Sequence, residues 1–234
     1  MRTRPLEPRP ASPQEARIAR RVQRRWWVFS ALGAIGVVLL LGVVITARAG
    51  RIGIDEEFMG ELVEHRSPFW EVPALVFNTI GAGLIGVFVV PIGVAVILLL
   101  RRRRWAALYW IVACVASAGL VQAIKHLFGR ARPTEILVVS DYGSFPSGHT
   151  ANAATLAVVL GVILRRVWVW AAGVAYTVLM LLSRTYLGAH WLTDTIGGLL
   201  IGAGVAVVLW APFAYRLLDE QERVRGRGWV WTRG

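Results

Sequence analysis

Three short segments carry nearly all the reactive chemistry of an apolar chain. They are Lys125-His126-Leu127-Phe128-Gly129-Arg130-Ala131-Arg132-Pro133, then Phe145-Pro146-Ser147-Gly148-His149, then Ser183-Arg184 through His190 to Asp194. Lys125, Arg132 and Arg184 are the cations a phosphate dianion needs, the Arg forks suiting bidentate contact and the Lys acting as a point charge. Lys125 is the single lysine among 26 basic residues, so a chain that otherwise uses Arg keeps one ammonium here.

Spacing sharpens this. Lys125 and Arg132 are seven residues apart, two helical turns, so both project from one face if the helix continues that far. Pro146-Ser147-Gly148-His149 precedes an apolar helical run and reads as a helix start, whose free N–H groups and positive dipole end bind anions. Gly148 lets an oxyanion approach the backbone. His190 and Asp194 are four apart, so on a helix the carboxylate accepts one imidazole N–H and leaves the other nitrogen free to attack phosphorus. Each segment alone has an ordinary reading: Arg132-Pro133 ends a helix, Ser147 caps one, Lys125 snorkels.

Together they resemble the type 2 phosphatidic acid phosphatase and haloperoxidase superfamily. Its pattern of K-x6-RP, PSGH and SR-x5-H-x3-D is met from Lys125 to Asp194 at every fixed position and in order. The resemblance implies the roles that the residue chemistry also suggests. Neutral His190 attacks in line, oriented by Asp194, and protonated His149 gives its proton to the leaving lipid oxygen. Water then hydrolyses the phosphohistidine with His149 as base, while Lys125, Arg132, Arg184, Ser147 and the Gly148 backbone hold the phosphate oxygens. Arg130 is expected to support this region, and His65 and His126 fit no motif position.

These residues need elements to hold them, and composition points to a membrane. Of 234 residues 56% are hydrophobic and 17% charged, with a mean hydropathy of +0.56. Six runs approach the length needed to cross about 30 Å of hydrocarbon: Trp26–Thr46, Val72–Leu100, Trp105–Val121, Thr150–Leu164, Val167–Leu182 and Thr195–Trp210. No strand-like alternation interrupts them, so the expected fold is all-α, a polytopic six-transmembrane-helix bundle. The expected organisation is a basic cytosolic tail at 1–25, a phosphatase domain at 26–212 and a second basic cytosolic tail at 213–234, both tails unfolded. Residues 51–70 place Ile54, Phe58, Met59, Leu62 and Val63 at helical spacing among acids, an amphipathic interfacial helix that serves as a packed linker or a lipid guide. Ala47-Arg48-Ala49 has the form of a signal-peptidase site, but the run before it exceeds an ordinary signal core, so retention of the first span is expected. No internal repeat is apparent.

Orientation follows from the basic residues, which concentrate on the cytosolic side. With the N-terminus inside, nineteen of the 26 fall in the cytosol and the three reactive segments fall outside. Clumps flanking apolar runs argue against a nucleic-acid surface despite a net charge of +12. The single cysteine, Cys114, offers neither disulfide nor metal site, and Asp194, Glu135 and Asp141 lack ligand spacing, so no metal and no cofactor is expected. The expected partner is a lipid phosphate in the membrane, with no obligate protein partner evident. Phosphatidic acid, phosphatidylglycerol phosphate and a polyprenyl diphosphate are the candidates. Compact loops and the Arg bias suit a bacterial cell membrane and favour the last two. The alternatives are a catalytically inactive lipid-phosphate-binding scaffold, which would have lost His149 or His190; an anion transporter, which would carry polar residues deep in its spans; and a vanadate-binding haloperoxidase, a soluble branch.

Overall fold

The computed structural model describes residues 13–81 and 83–230, and what was expected of residues 1–12 and 231–234 lies outside them. Among the described residues the elements are α1 (Pro13–Ala47), α2 (Gly53–Glu64), α3 (Pro68–Gly81), a π-helical turn (Ile85–Val89), α4 (Val90–Leu100), α5 (Arg104–Phe128), α6 (Gly148–Leu164), α7 (Val167–Tyr186) and α8 (Leu192–Val230). The fold is all-α and that of a multi-pass membrane protein. Four helices are long and apolar enough to span by themselves, and α3 with the turn and α4 makes a fifth, bent by 44°. At 17 residues, α6 is shorter than these.

Several boundaries differ from expectation. The run expected as one helix, Val72–Leu100, begins at Pro68 and breaks after Gly81, where Gly83 and Gly86 weaken the helix and Pro91 follows. Asn152 of α6 donates to the Gly81 and Gly86 carbonyls at 3.3 and 3.1 Å, satisfying groups the broken ladder frees. The tails expected to be unfolded continue the outermost helices instead, α1 from Pro13 and α8 through Pro212 to Val230. A formed span is a helix nucleus, and extending it costs little.

The bundle is organised around α6, buried among α5, α7 and α8. Small residues let it be reached: a Cβ on Gly198 or Gly202 of α8 would sit 2.3 or 2.1 Å from the carbonyl oxygens of Ser147 and Ala151. Such contacts are the means of helix association where lipid removes the hydrophobic drive. Large apolar side chains on α1, α3, α4 and α7, among them Leu40, Val76, Ile97 and Val174, face outward as a lipid-facing surface requires. At the arginine-rich end Glu220 of α8 accepts from the Trp105 and Ala106 amides at 2.8 and 3.2 Å. It thereby caps the free N–H groups of α5.

Candidate active site

Helix termini bring the reactive segments to one end of the bundle. Helix α5 stops at Phe128 because Gly129 takes the left-handed conformation, φ 53°, that ends a helix cheaply only with glycine. The condition for Lys125 and Arg132 to share one helical face, a helix continuing to Arg132, is therefore not met. The chain instead folds back, and the two cations meet on shared partners. Lys125 Nζ donates to the Asp141 carboxylate at 3.1 Å and the Gly143 carbonyl at 2.9 Å, and Arg132 Nη2 donates to the same two groups at 2.7 and 2.8 Å.

His190 lies just before α8 rather than on it, and Asp194 falls in the helix's first turn. His190 Nδ1 is 2.7 Å from the carbonyl oxygen of Ser144 and 3.7 Å from Asp194 Oδ2. A carbonyl only accepts, so Nδ1 carries the hydrogen and Nε2 keeps its lone pair. The backbone of Ser144, rather than Asp194 as expected, makes the bond that sets the tautomer. Ser144 is itself held, its N–H donating to the Arg130 carbonyl and its hydroxyl to that of Ala131. Burial, reinforced by Arg184, Arg132 and Lys125, holds the His190 imidazole well below its ordinary value. It stays neutral, as a nucleophile must.

Ser147 is the N-cap of α6, its Oγ accepting from the Thr150 amide and hydroxyl, while its own N–H donates to the Asp194 carbonyl. The cap pins α6 to α8. Arg184 is buried at the end of α7 and donates to Asn78 of α3, a residue no motif signalled. Arg130 is wholly buried behind Asp194, bonded to Asp194 and to Asp55 of α2.

A cavity of about 830 Å3 opens between these groups. Its polar end is lined by Lys125, Asp141, Gly148, His149, Arg184 and His190. Its walls continue along the π-helical turn and α4 from Val87 to Leu99 and along α5 through Gln122, Ala118, Val115 and Ile111. At about 1.5 Å per residue the wall of turn and α4 is about 18 Å long, enough for a long hydrocarbon chain. Three buried polar atoms on lining residues, His149 Nε2, Arg184 Nε and Ser140 Oγ, have no hydrogen-bond partner. Buried polar groups are rarely left so, and an unpaired guanidinium N–H on Arg184 beside this hollow suits an anion. Among the described residues no group of three His, Cys, Asp or Glu side chains could hold a metal. Ser147, Arg132 and Asp194 are not among the lining residues, though Arg132 Nη1 comes within 3.4 Å of His190 Nε2.

The sequence model of the PAP2 superfamily matches residues 106–217, which contain every polar side chain of the site described above except Asn78 and Asp55, and leave out the apolar wall from Val87 to Leu99. Over these residues the chain matches the PAP2 superfamily. It is 30% identical over 120 residues to an undecaprenyl-diphosphatase of Sulfolobus acidocaldarius, covering 48% of this chain and 57% of the relative. It is 32% identical over 113 residues to phosphatidylglycerophosphatase B of Bacillus subtilis, covering 43% and 55%. The chain thus spans little more than half the length of these relatives. Among solved structures it resembles a transmembrane PAP2 type phosphatidylglycerolphosphate phosphatase of Bacillus subtilis, with a TM-score of 0.65, 23% identity and coverage of 75% and 93%. It also resembles LpxE of Aquifex aeolicus, with a TM-score of 0.60, 26% identity and coverage of 68% and 95%. The first of these likenesses is one of fold, and this chain carries its own site residues in the geometry above.

Proposed function

We propose that this chain is a metal-independent membrane phosphatase that cleaves a lipid phosphate monoester or diphosphate through a phosphohistidine. The observation that carries the reading is the unprotonated His190 Nε2, its tautomer set by the Ser144 carbonyl and its lone pair met by Arg132 Nη1 at 3.4 Å, at the head of an apolar cavity flanked by cations. A phosphate seated there meets Lys125, Arg184 and the Gly148 amide at the start of α6, with Arg132 beside His190 Nε2 and Ser147 holding the helix start. His190 Nε2 forms a bond to phosphorus as the bond to the lipid oxygen breaks, and His149 delivers a proton to that oxygen. The phosphate's own negative charge favours the protonated His149 beside it. Water, giving a proton to His149, then displaces His190 and releases phosphate.

The long apolar walls support a lipid over a soluble ester, since a tail running along α4 and α5 leaves its headgroup at the histidines. The relatives' names support a polyprenyl diphosphate and phosphatidylglycerol phosphate as the first substrates to try. The excess of arginine at the other end of the bundle supports cytosolic termini and a site on the outer face of the cell membrane, by the positive-inside rule.

The test is phosphate release from those two lipids and phosphatidic acid in detergent with EDTA, comparing wild type with His190→Ala. Release by wild type alone, with an acid-labile phosphoprotein trapped early in turnover, is the expected result. Equal release by the variant removes His190 as nucleophile, and loss of wild-type activity in EDTA removes the metal-independent mechanism.

A further inference from the structure

Arg130 uses all five of its N–H donors inside the protein. Nε and Nη2 donate to the Gly50 carbonyl at 3.2 and 3.0 Å, and Nη2 donates also to Asp55 Oδ2 at 2.7 Å. Nη1 donates to Thr193 Oγ1 at 2.8 Å and Asp194 Oδ1 at 2.7 Å. Asp55 accepts in turn from the Thr193 amide and hydroxyl at 2.8 and 2.6 Å. Both carboxylates and the guanidinium are fully buried. Burying three charges is expensive unless each is satisfied, and here each is, across four stretches of chain.

The charges do not cancel: two carboxylates share one guanidinium, leaving one net negative charge. Asp194 Oδ2 lies 3.7 Å from His190 Nδ1, the ring that gains positive character as its Nε2 bonds to phosphorus. With Asp55 drawing on the same Arg130, the guanidinium neutralises Asp194 only in part, and the remaining negative charge falls on the imidazole when it is needed. Without Asp55 the Arg130 charge would be spent wholly on Asp194.

We propose that Asp55, on the interfacial helix α2, is a positioning residue for phosphoryl transfer, acting through Arg130 and Asp194 on His190. The proposal rests on the phosphatase reading and makes α2 part of the catalytic scaffold. Asp55 touches no cavity-lining cation, so its loss acts on the reaction step and spares phosphate binding.

The experiment measures kcat and KM for wild type, Asp55→Asn, Asp194→Asn and the double variant in detergent, with melting temperatures and vanadate inhibition in parallel. The expected result for Asp55→Asn is a kcat lower by about 10- to 100-fold, the scale of outer-layer partners of reactive histidines, with KM and vanadate inhibition changed less than twofold. Adding Asp55→Asn to Asp194→Asn should cost little more, because one pathway serves both. Unchanged kcat, a change confined to KM, or independent losses that multiply would overturn the proposal. Should Asp55→Asn not accumulate, Thr193→Val, which keeps the side-chain shape and removes the bridging hydroxyl, carries the same prediction with a smaller loss in kcat. Absence of activity in wild type would count against the phosphatase reading instead, and an active wild type beside an unaltered variant would count against Asp55 alone.

Discussion

His190 Nδ1 donates to the Ser144 carbonyl oxygen at 2.7 Å, while the Asp194 carboxylate stands a full ångström farther off at 3.7 Å. Orientation and charge are therefore supplied to the nucleophile by different groups. Asp194→Asn should leave the reactive tautomer in place and remove only charge, lowering kcat by about 10²- to 10³-fold as the loss of one electrostatic contact does. His190→Ala should leave no phosphoenzyme at all. Single-turnover release with trapping of the phosphoprotein separates the two.

The proposed mechanism makes His149 the proton carrier in both halves of the reaction. His149→Ala should cost about 10²- to 10⁴-fold with a lipid alcohol as leaving group, and much less with a p-nitrophenyl phosphate ester, whose oxygen leaves without a proton. Comparing the two substrates checks the assignment.

Acidification tests the environment of His190. Its folded-state value lies below the ordinary imidazole value of about 6.5, so the unfolded chain takes up a proton first. The contribution of His190 to stability is complete above that value and declines as pH falls through it toward the depressed one. Wild type should thus lose more melting temperature than His190→Ala between neutral pH and pH 5. The acid limb of kcat/KM should show no inflection from His190 near 6.5.

Asp141 accepts from two of the cations that the proposed mechanism assigns to phosphate, Lys125 and Arg132. Burial alone would raise its carboxyl, but Lys125 and Arg132 outweigh burial and hold it below the usual aspartate range, so it is ionised at neutral pH on the very cations a phosphate needs. Its side chain is 57% exposed, which limits its hold by solvent screening. Asp141→Asn should tighten inhibition by inorganic phosphate or vanadate by roughly three- to fivefold, in keeping with about 1 kcal/mol or less for such a pair. Inhibition constants measured at fixed ionic strength give the answer.

The crossing of α6 and α8 depends on the missing side chain at Gly202, where a Cβ would fall 2.1 Å from the Ala151 oxygen. Gly202→Val should destabilise the bundle by at least 1–3 kcal/mol, read as a lower melting temperature in detergent.

Much of this was legible beforehand because chemistry restricts residue type. Few side chains can serve at Lys125, Arg184, His149 and His190, and their spacing placed each at a helix end. Ser144 was illegible for the opposite reason, since it acts through a carbonyl that every residue possesses. Asp55 was hidden among Glu56, Glu57, Glu61 and Glu64, and only burial distinguishes it from them. Arg130 was expected to support the phosphate region, but its partner Asp55 lies 75 residues away and no motif signals it. The break after Gly81 did have a signal in Gly83, Gly86 and Pro91, which hydrophobicity over a long window averages away.

Helix α8 carries Asp194 at one end and Glu220 at the other, about 39 Å apart at 1.5 Å per residue. Helix α5 runs beside it from Trp105, bonded to Glu220, to the turn bearing Arg130, bonded to Asp194. The two helices form a truss closed at both corners, which cannot shear without breaking buried bonds. The opposite wall of the cavity, α3 and α4, is jointed at its π-helical turn. Widening to admit a bulky tail therefore falls to a hinged panel, and the reacting atoms stay fixed to the frame.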